Sequence, residues 1–356
     1  MRVTRELPKK LSACAAGLAL GSAVLFATGC GASPVPGLVP IGAGLDGPAG
    51  LRATVYATGL PLMSAFAFDA QGRLWVTTSG DTTHGSDGVY VIERMGAQPV
   101  KVISGPKAPL GLLWYGNELI VSSLGRVTAF NDLRRTRFAK RTTILRGPAG
   151  GGENNNLILA PDGRLLMGVS ASCDHCTPPT KWSGAIVSFK PDGSDLRLFA
   201  SRIRAPFGLG FYPGTNDLLA TMNQRDDLGA RTPGDWVALV RQGENWGFPA
   251  CYGQAGALCA RVSKPIAVLD PHAAVGGIAM LTTELGGRFA SSALVAEWKL
   301  GKVQRVALRT SGSSYTGSVA PFLTGLKHPL PVIATRSGTV LVGDWGTGKI
   351  YRITSS

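Results

Sequence analysis

Acidic residues are scarce in this chain. Its 356 residues hold 22 Asp and Glu against 36 Lys and Arg, for a net charge of +14, and only four histidines. Sustained apolar repetition at 3.6-residue spacing is absent, which excludes a mainly helical fold. No run of Lys and Arg with interleaved aromatics occurs, which argues against nucleic-acid recognition. Only one long apolar run exists, Leu11 to Ala27. It falls short of the ~20 residues that a membrane-spanning helix needs. Cysteine is limited to six residues. None sits in a Cys-X-X-Cys-His pattern, so covalent haem attachment is excluded.

What surrounds the apolar run has the order of an export signal. Arg2, Arg5, Lys9 and Lys10 precede it, and Ala27-Thr28-Gly29-Cys30 follows. This is the order of a signal peptide with a lipobox, in which the Cys30 thiol is acylated and becomes the mature N-terminus. Residues 1–29 are then the signal peptide, 30–50 a flexible tether rich in Gly, Pro and Ala, and 51–356 one domain. The expected location is an envelope membrane, with the domain on its periplasmic or extracellular face. The leader carries four basic residues less Glu6, or +3, which leaves the mature chain near +11 (14 − 3). Such a balance suits an anionic envelope. Cys173, Cys176, Cys251 and Cys259 remain after export, and an even number in an oxidising compartment favours two local disulfides, 173–176 and 251–259. A zinc site is the alternative use of these groups.

One unit recurs along the domain: an apolar strand, a Gly-containing turn and a second apolar strand. Its copies pair 65–68 with 73–76, 111–114 with 118–121, 156–159 with 164–167, 208–211 with 217–220, 277–280 with 293–296, and 331–334 with 339–342. Two further strands fit between copies, as at 88–91 and 100–103. Four short strands per repeat predict an all-β, six-bladed β-propeller. The chain ends after the third strand of the last repeat, and Ala53-Thr54-Val55-Tyr56 at the other end offers the fourth. This closure would remove an open sheet edge. In such a fold the second-to-third and fourth-to-first connections share one face, and His84, His175, His272 and His328 all fall in them. That clustering marks the face as the functional one.

These same loops carry a family resemblance across residues 52–354. The passages are Asn155-Asn156-Leu157 through Pro161-Asp162-Gly163, 203–209 (Ile-Arg-Ala-Pro-Phe-Gly-Leu), 223–229 (Asn-Gln-Arg-Asp-Asp-Leu-Gly), Asn245-Trp246-Gly247-Phe248-Pro249, and Phe322-Leu323-Thr324-Gly325-Leu326. In this order they resemble the soluble glucose/sorbosone dehydrogenases, six-bladed quinoproteins that use pyrroloquinoline quinone (PQQ) with calcium. The resemblance implies a general-base histidine just before the third blade. By register with Leu157 that position is Gly152, and its neighbour Glu153 is the only nearby substitute. It further implies that Arg204, Lys299, His328, His272 and Arg225 contact the cofactor. Calcium would lie near 223–235, where Asn223, Asp226, Asp227 and Asp235 supply the hard oxygen ligands that Ca²⁺ takes; turn capping is the other use of such carboxylates.

The expected function is therefore a PQQ-dependent sugar dehydrogenase-like lipoprotein, impaired in catalysis by loss of the base, that binds a sugar or quinone on the loop face. Two alternatives stand beside it: a non-catalytic propeller serving as a binding or scaffold module, and a metal-dependent lactonase. The last needs a channel-facing carboxylate near the start of the domain, and none is evident.

Overall fold

A computed structural model of the chain describes residues 37–80, 87–147, 152–335 and 337–356. The lipobox, Cys30 and His84 lie outside the described residues. The remainder is six four-stranded antiparallel sheets and one two-stranded hairpin, which is the six-bladed propeller expected from the repeat.

Blade 1 comprises Met63–Phe68, Leu74–Thr78, Gly88–Ile92 and Val100–Ser104. Blade 2 comprises Gly111–Tyr115, Glu118–Ser123, Arg126–Arg134 and Arg137–Arg146. Blade 3 is Asn154–Leu159, Leu165–Val169, Ala185–Phe189 and Arg197–Ser201. Blade 4 is Pro206–Phe211, Leu218–Met222, Gly234–Val240 and Ala267–Pro271. Blade 5 is Val275–Leu281, Ser292–Glu297, Lys302–Ser311 and Ser314–Leu323.

Blade 6 takes Pro329–Thr335, Thr339–Asp344 and Lys349–Ser355 from the C-terminus and Leu51–Ala57 from the N-terminus. The register of that closure runs from Ile350 opposite Ala57 to Ser355 opposite Leu51. Burial follows the architecture. Second strands such as Leu165–Val169 are buried at every residue, because both faces of the sheet meet a neighbouring blade. Outermost strands such as Val100–Ser104 are mostly exposed.

Between blades, small polar side chains reach from one sheet to the next. Ser64 Oγ donates to Pro109 O at 2.6 Å, and Ser122 Oγ to Asn155 O at 2.6 Å. Asn155 Nδ2 donates to Pro206 O at 2.7 Å, and Thr221 Oγ1 to Gly276 O at 2.9 Å. Each such bond satisfies a carbonyl that would otherwise be buried without a partner.

The expected tether needs correction. Leu38–Gly42 and Leu45–Pro48 form an antiparallel hairpin on the outer wall of blades 5 and 6. Asp46 and Thr324 exchange backbone hydrogen bonds at 3.2 and 3.0 Å. Ile41 and Leu45 are buried in one apolar cluster with Phe322, Leu323, Leu326 and Tyr351. The Gly- and Pro-rich composition of this stretch hid two apolar side chains that the sheet wall accepts. Burying Leu45 alone contributes about 2 kcal/mol. Residues 38–48 are thus part of the domain's packed structure rather than a tether.

Candidate functional site

The second-to-third and fourth-to-first connections meet on one face, here termed the mouth face. They surround a cavity of about 580 Å³ at the channel entrance. Phe207, Leu330, Trp298 and Trp345 supply its apolar wall, and Lys107, Glu153, Arg204 and Asp226 its charged groups. Below it lies a channel cavity of about 280 Å³ bordered by the innermost strands, among them Ala65, Leu112, Leu157, Leu209, Ile278 and Val332, whose side chains are buried in apolar clusters. The charged groups that a polar ligand needs are therefore at the mouth rather than in the channel.

Carboxylates shape the rim by clasping loops. Asp87 accepts from Gly80 N at 2.8 Å and Ala108 N at 2.9 Å, tying blade 1 to the approach of blade 2. Asp235 does the same for blades 4 and 5 through Gln224 N at 2.7 Å and Val275 N at 3.4 Å. Burial pushes the Asp235 carboxyl up to about 7, because desolvation outweighs those two amide donors. Asp344 gathers Lys327 N, His328 N and Gly346 N, each within 3.1 Å.

Arg204 is the central cation. Its Nη1 donates to Asn223 O at 3.1 Å and Gln224 O at 2.7 Å, and its Nη2 to Asp174 Oδ1 at 2.5 Å. The same Asp174 oxygen accepts from Asp226 N at 3.0 Å. Asp174 sits in the loop that the Cys173–Cys176 disulfide closes, and the second disulfide joins Cys251 to Cys259. Both pairings are those expected. Asp174 is not singled out by the sequence; the structure shows it to anchor Arg204.

The structure separates the remaining cofactor candidates. Arg225 is bidentate to Asp227 at 2.6 and 2.7 Å and lies over the Tyr252 ring at 4.6 Å. That pair raises the guanidinium pKa and lowers that of the carboxylate. His272 Nδ1 faces Asp226 Oδ1 at 2.7 Å, and its Nε2 faces Gly229 O at 2.9 Å. An acceptor faces each ring nitrogen, an arrangement that favours the imidazolium form. The Gly229 carbonyl first, and then Asp226, push its pKa up. His328 stacks on Trp298 at 4.4 Å with its edge toward Trp345, and Nδ1 donates to Trp298 O at 3.0 Å. Lys299 is exposed, and it is outside the mouth lining.

Neither expected cofactor fits these residues. The proposed calcium ligands face four different partners: Asn223 Nδ2 donates to Val275 O at 3.0 Å, Asp226 pairs with His272, Asp227 with Arg225, and Asp235 clasps amides. No cluster of three metal-binding side chains exists among the described residues. The loop carbonyls of Asn223 and Gln224 already accept from a guanidinium. The quinone carboxylates need free cations, yet Arg204 is the only expected cofactor residue at the mouth, and both its Nη groups are engaged.

Gly152 stands at the position where the sequence resemblance implies a base. It continues the blade 3 ladder against Ser170, and a Cβ built there would stand 2.0 Å from Ser170 O and 2.6 Å from its carbon. No side chain fits without moving backbone. A histidine placed at 152 could not serve as the base. Glu153 is exposed and borders the mouth.

No family model matches the chain, and no curated protein matches it either. Solved structures do. The PQQ domain of pyranose dehydrogenase from Coprinopsis cinerea superposes with a TM-score of 0.71 at 16% identity, covering 87% of this chain and 97% of that one. The PQQ-bound aldose sugar dehydrogenase from Streptomyces coelicolor gives 0.69 at 16% identity, covering 86% and 99%. The soluble aldose sugar dehydrogenase from Escherichia coli in its apo form gives 0.67 at 16%, covering 86% and 100%. This chain shares the fold of the PQQ-dependent sugar dehydrogenases. At such identity the likeness shows the fold alone.

Proposed function

We propose that the chain is an exported lipoprotein, acylated at Cys30, that binds a sugar-like ligand at the propeller mouth without quinone-dependent oxidation. The observation that carries this reading is the pairing of Gly152 with Arg204. The position of the expected base is closed to a side chain by the Ser170 carbonyl, and both Nη groups of Arg204 are engaged by loop carbonyls and Asp174, which leaves exposed Lys107 as the other cation at the mouth. What persists is a concave site with two tryptophans, a phenylalanine and mixed charges, which suits the apolar face and hydroxyl rim of a carbohydrate. The alternative, a working dehydrogenase, rests on the shared fold.

Purified full chain mixed with PQQ and Ca²⁺ should show no bound-quinone absorbance and no dye reduction with aldoses. A sugar panel read by thermal shift should yield at least one stabilising ligand. Trp298→Ala should weaken its binding by 10-fold or more, about 1–3 kcal/mol for a lost stacking face. Dye-coupled turnover on the order of 10 per second would overturn the reading.

A further inference from the structure

The chain enters the propeller on the face opposite the mouth. The N-terminal hairpin turns near Thr324 and Gly325 on the mouth side, where a Gly325 Cβ would meet Gly44 O. Its open end, Leu38 paired with Pro48, lies on the other side. There the adjoining Ala49 accepts from Arg288, in the first-to-second connection of blade 5, and Gly50 O accepts from Ser356 N at 3.0 Å. Gly37 therefore sits on the face away from the cavity.

A second feature lies on that same face. The outer hairpin of blade 2 runs 9 and 10 residues, against five for each outer strand of blade 1. Its tip carries Arg134, Arg135 and Arg137, and Lys140 and Arg141 follow along the edge; all five are exposed. Asp132 pairs with Arg134 at 3.1 Å in an open setting, where the ion pair counts for little. Glu93 of blade 1 is nearest Arg73, at 3.6 Å. Edge-strand cations do guard against unwanted strand pairing, but that role is served along the strand. It does not call for three arginines at a turn.

We propose that this basic hairpin is a foot that docks the propeller on an anionic phospholipid surface, with the sugar-binding mouth directed outward. The inference rests on acylation of Cys30. Only residues 31–36 separate that cysteine from Gly37, a reach of roughly 25 Å at full extension. Blade 2 lies across the ring from the boundary of blades 5 and 6, so Gly37 and the foot occupy opposite sides of one face. A tether of that length lets the whole face lie down on the membrane, which brings the arginines within the ~10 Å Debye length over which the surface potential acts.

The test uses the full processed chain reconstituted in vesicles of phosphatidylcholine, with or without phosphatidylglycerol. Fluorophores are placed at Thr136→Cys on the foot or Leu300→Cys on the mouth face, and brominated lipid serves as quencher. Quenching is expected at position 136 only, in anionic vesicles only, and reversed by high salt. The combined Arg134→Gln, Arg135→Gln and Arg137→Gln change should lower the docked-to-undocked ratio on the order of 100-fold, about fivefold per cation. Circular dichroism should stay unchanged. Quenching at 300, or equal quenching in neutral vesicles, would overturn the docking surface. Mass spectrometry of the N-terminal peptide reports acylation separately. If Cys30 is unmodified, the soluble chain should still co-sediment with anionic vesicles through the foot, and failure to do so would sink the proposal on its own.

Discussion

Between blades 3 and 4, Asn155 donates one amide hydrogen to Ser170 Oγ at 2.8 Å and the other to Pro206 O at 2.7 Å, and its own carbonyl accepts from Ser122 of blade 2. Between blades 5 and 6 no side chain of the innermost strands does this among the described residues, and the polar bond across the seam, His328 Nδ1 to Trp298 O at 3.0 Å, lies in the loops. Gly276 and Gly277 instead lie against the Leu330 backbone, where a Cβ would stand 2.9 and 3.0 Å from its carbonyl oxygen. That seam is covered from outside by Ile41 and Leu45 of the N-terminal hairpin, packed on Phe322, Leu323 and Tyr351. One seam is held by directed polar bonds beside the channel, the other by apolar burial at the rim. The difference has a topological reason. Blade 6 is assembled from both chain ends, so the adjacent seam is where an apolar strap from the N-terminus can reach.

Removing the strap should produce the largest effect. Deleting residues 31–50 takes away Ile41 and Leu45, and the expected loss is about 4–6 kcal/mol of stability at two to three per buried side chain. Chemical denaturation monitored by tryptophan fluorescence measures it, and a midpoint unchanged from the parent would show that the hairpin merely rests on the wall. The polar seam should respond less. Asn155→Ala leaves Pro206 O and Ser170 Oγ without their donor in a buried site, which costs about 2–3 kcal/mol. Because these two sites share no partner, the deletion and the substitution should be additive within about half a kcal/mol. A strongly non-additive double variant would mean that the ring closes as one unit.

A pH effect reports on two buried carboxylates of blades 4 and 5. Asp235 is raised from an ordinary 3.8 to about 7, and Glu297, fully buried beside blade 5, from 4.5 to about 7, both because burial disfavours the charged form. For a carboxyl whose pKa is higher folded than unfolded, the contribution is fully present below the ordinary value and is lost as pH rises towards 7. The domain should therefore melt at a higher temperature near pH 5 than near pH 8. Asp235→Asn should flatten part of that slope. A melting temperature that rises with pH over this interval, or a slope unchanged in the variant, would contradict the assignment.

Much of this protein was legible in its sequence, and particular residues show why. The six apolar strand pairs and the closure by Ala53 to Tyr56 could be read because a propeller repeats one local pattern and leaves a strand unpaired at each end. Both disulfides followed from compartment and proximity. The site was less legible. Arg204 was identified, but its partner Asp174 comes from a different loop 30 residues away, and no spacing rule links the two. Trp298 and Trp345 gave no signal at all, since an isolated tryptophan in a loop looks the same whether it faces a cavity or a neighbour. The hairpin at 38–48 was read as a tether because its composition resembles one, and only the wall of blades 5 and 6 makes its two apolar residues structural.

The sequence by itself determined the number of blades, the way the ring closes, the cysteine pairs and which loops gather on one face, because all of these depend on local pattern and chain order. Tertiary structure alone decided that Gly152 is sealed by the Ser170 carbonyl, that Arg204 is spent on Asn223, Gln224 and Asp174, and that the acidic loop residues turn to separate partners. Those outcomes depend on distances between residues tens of positions apart, which only the packed ring of blades sets.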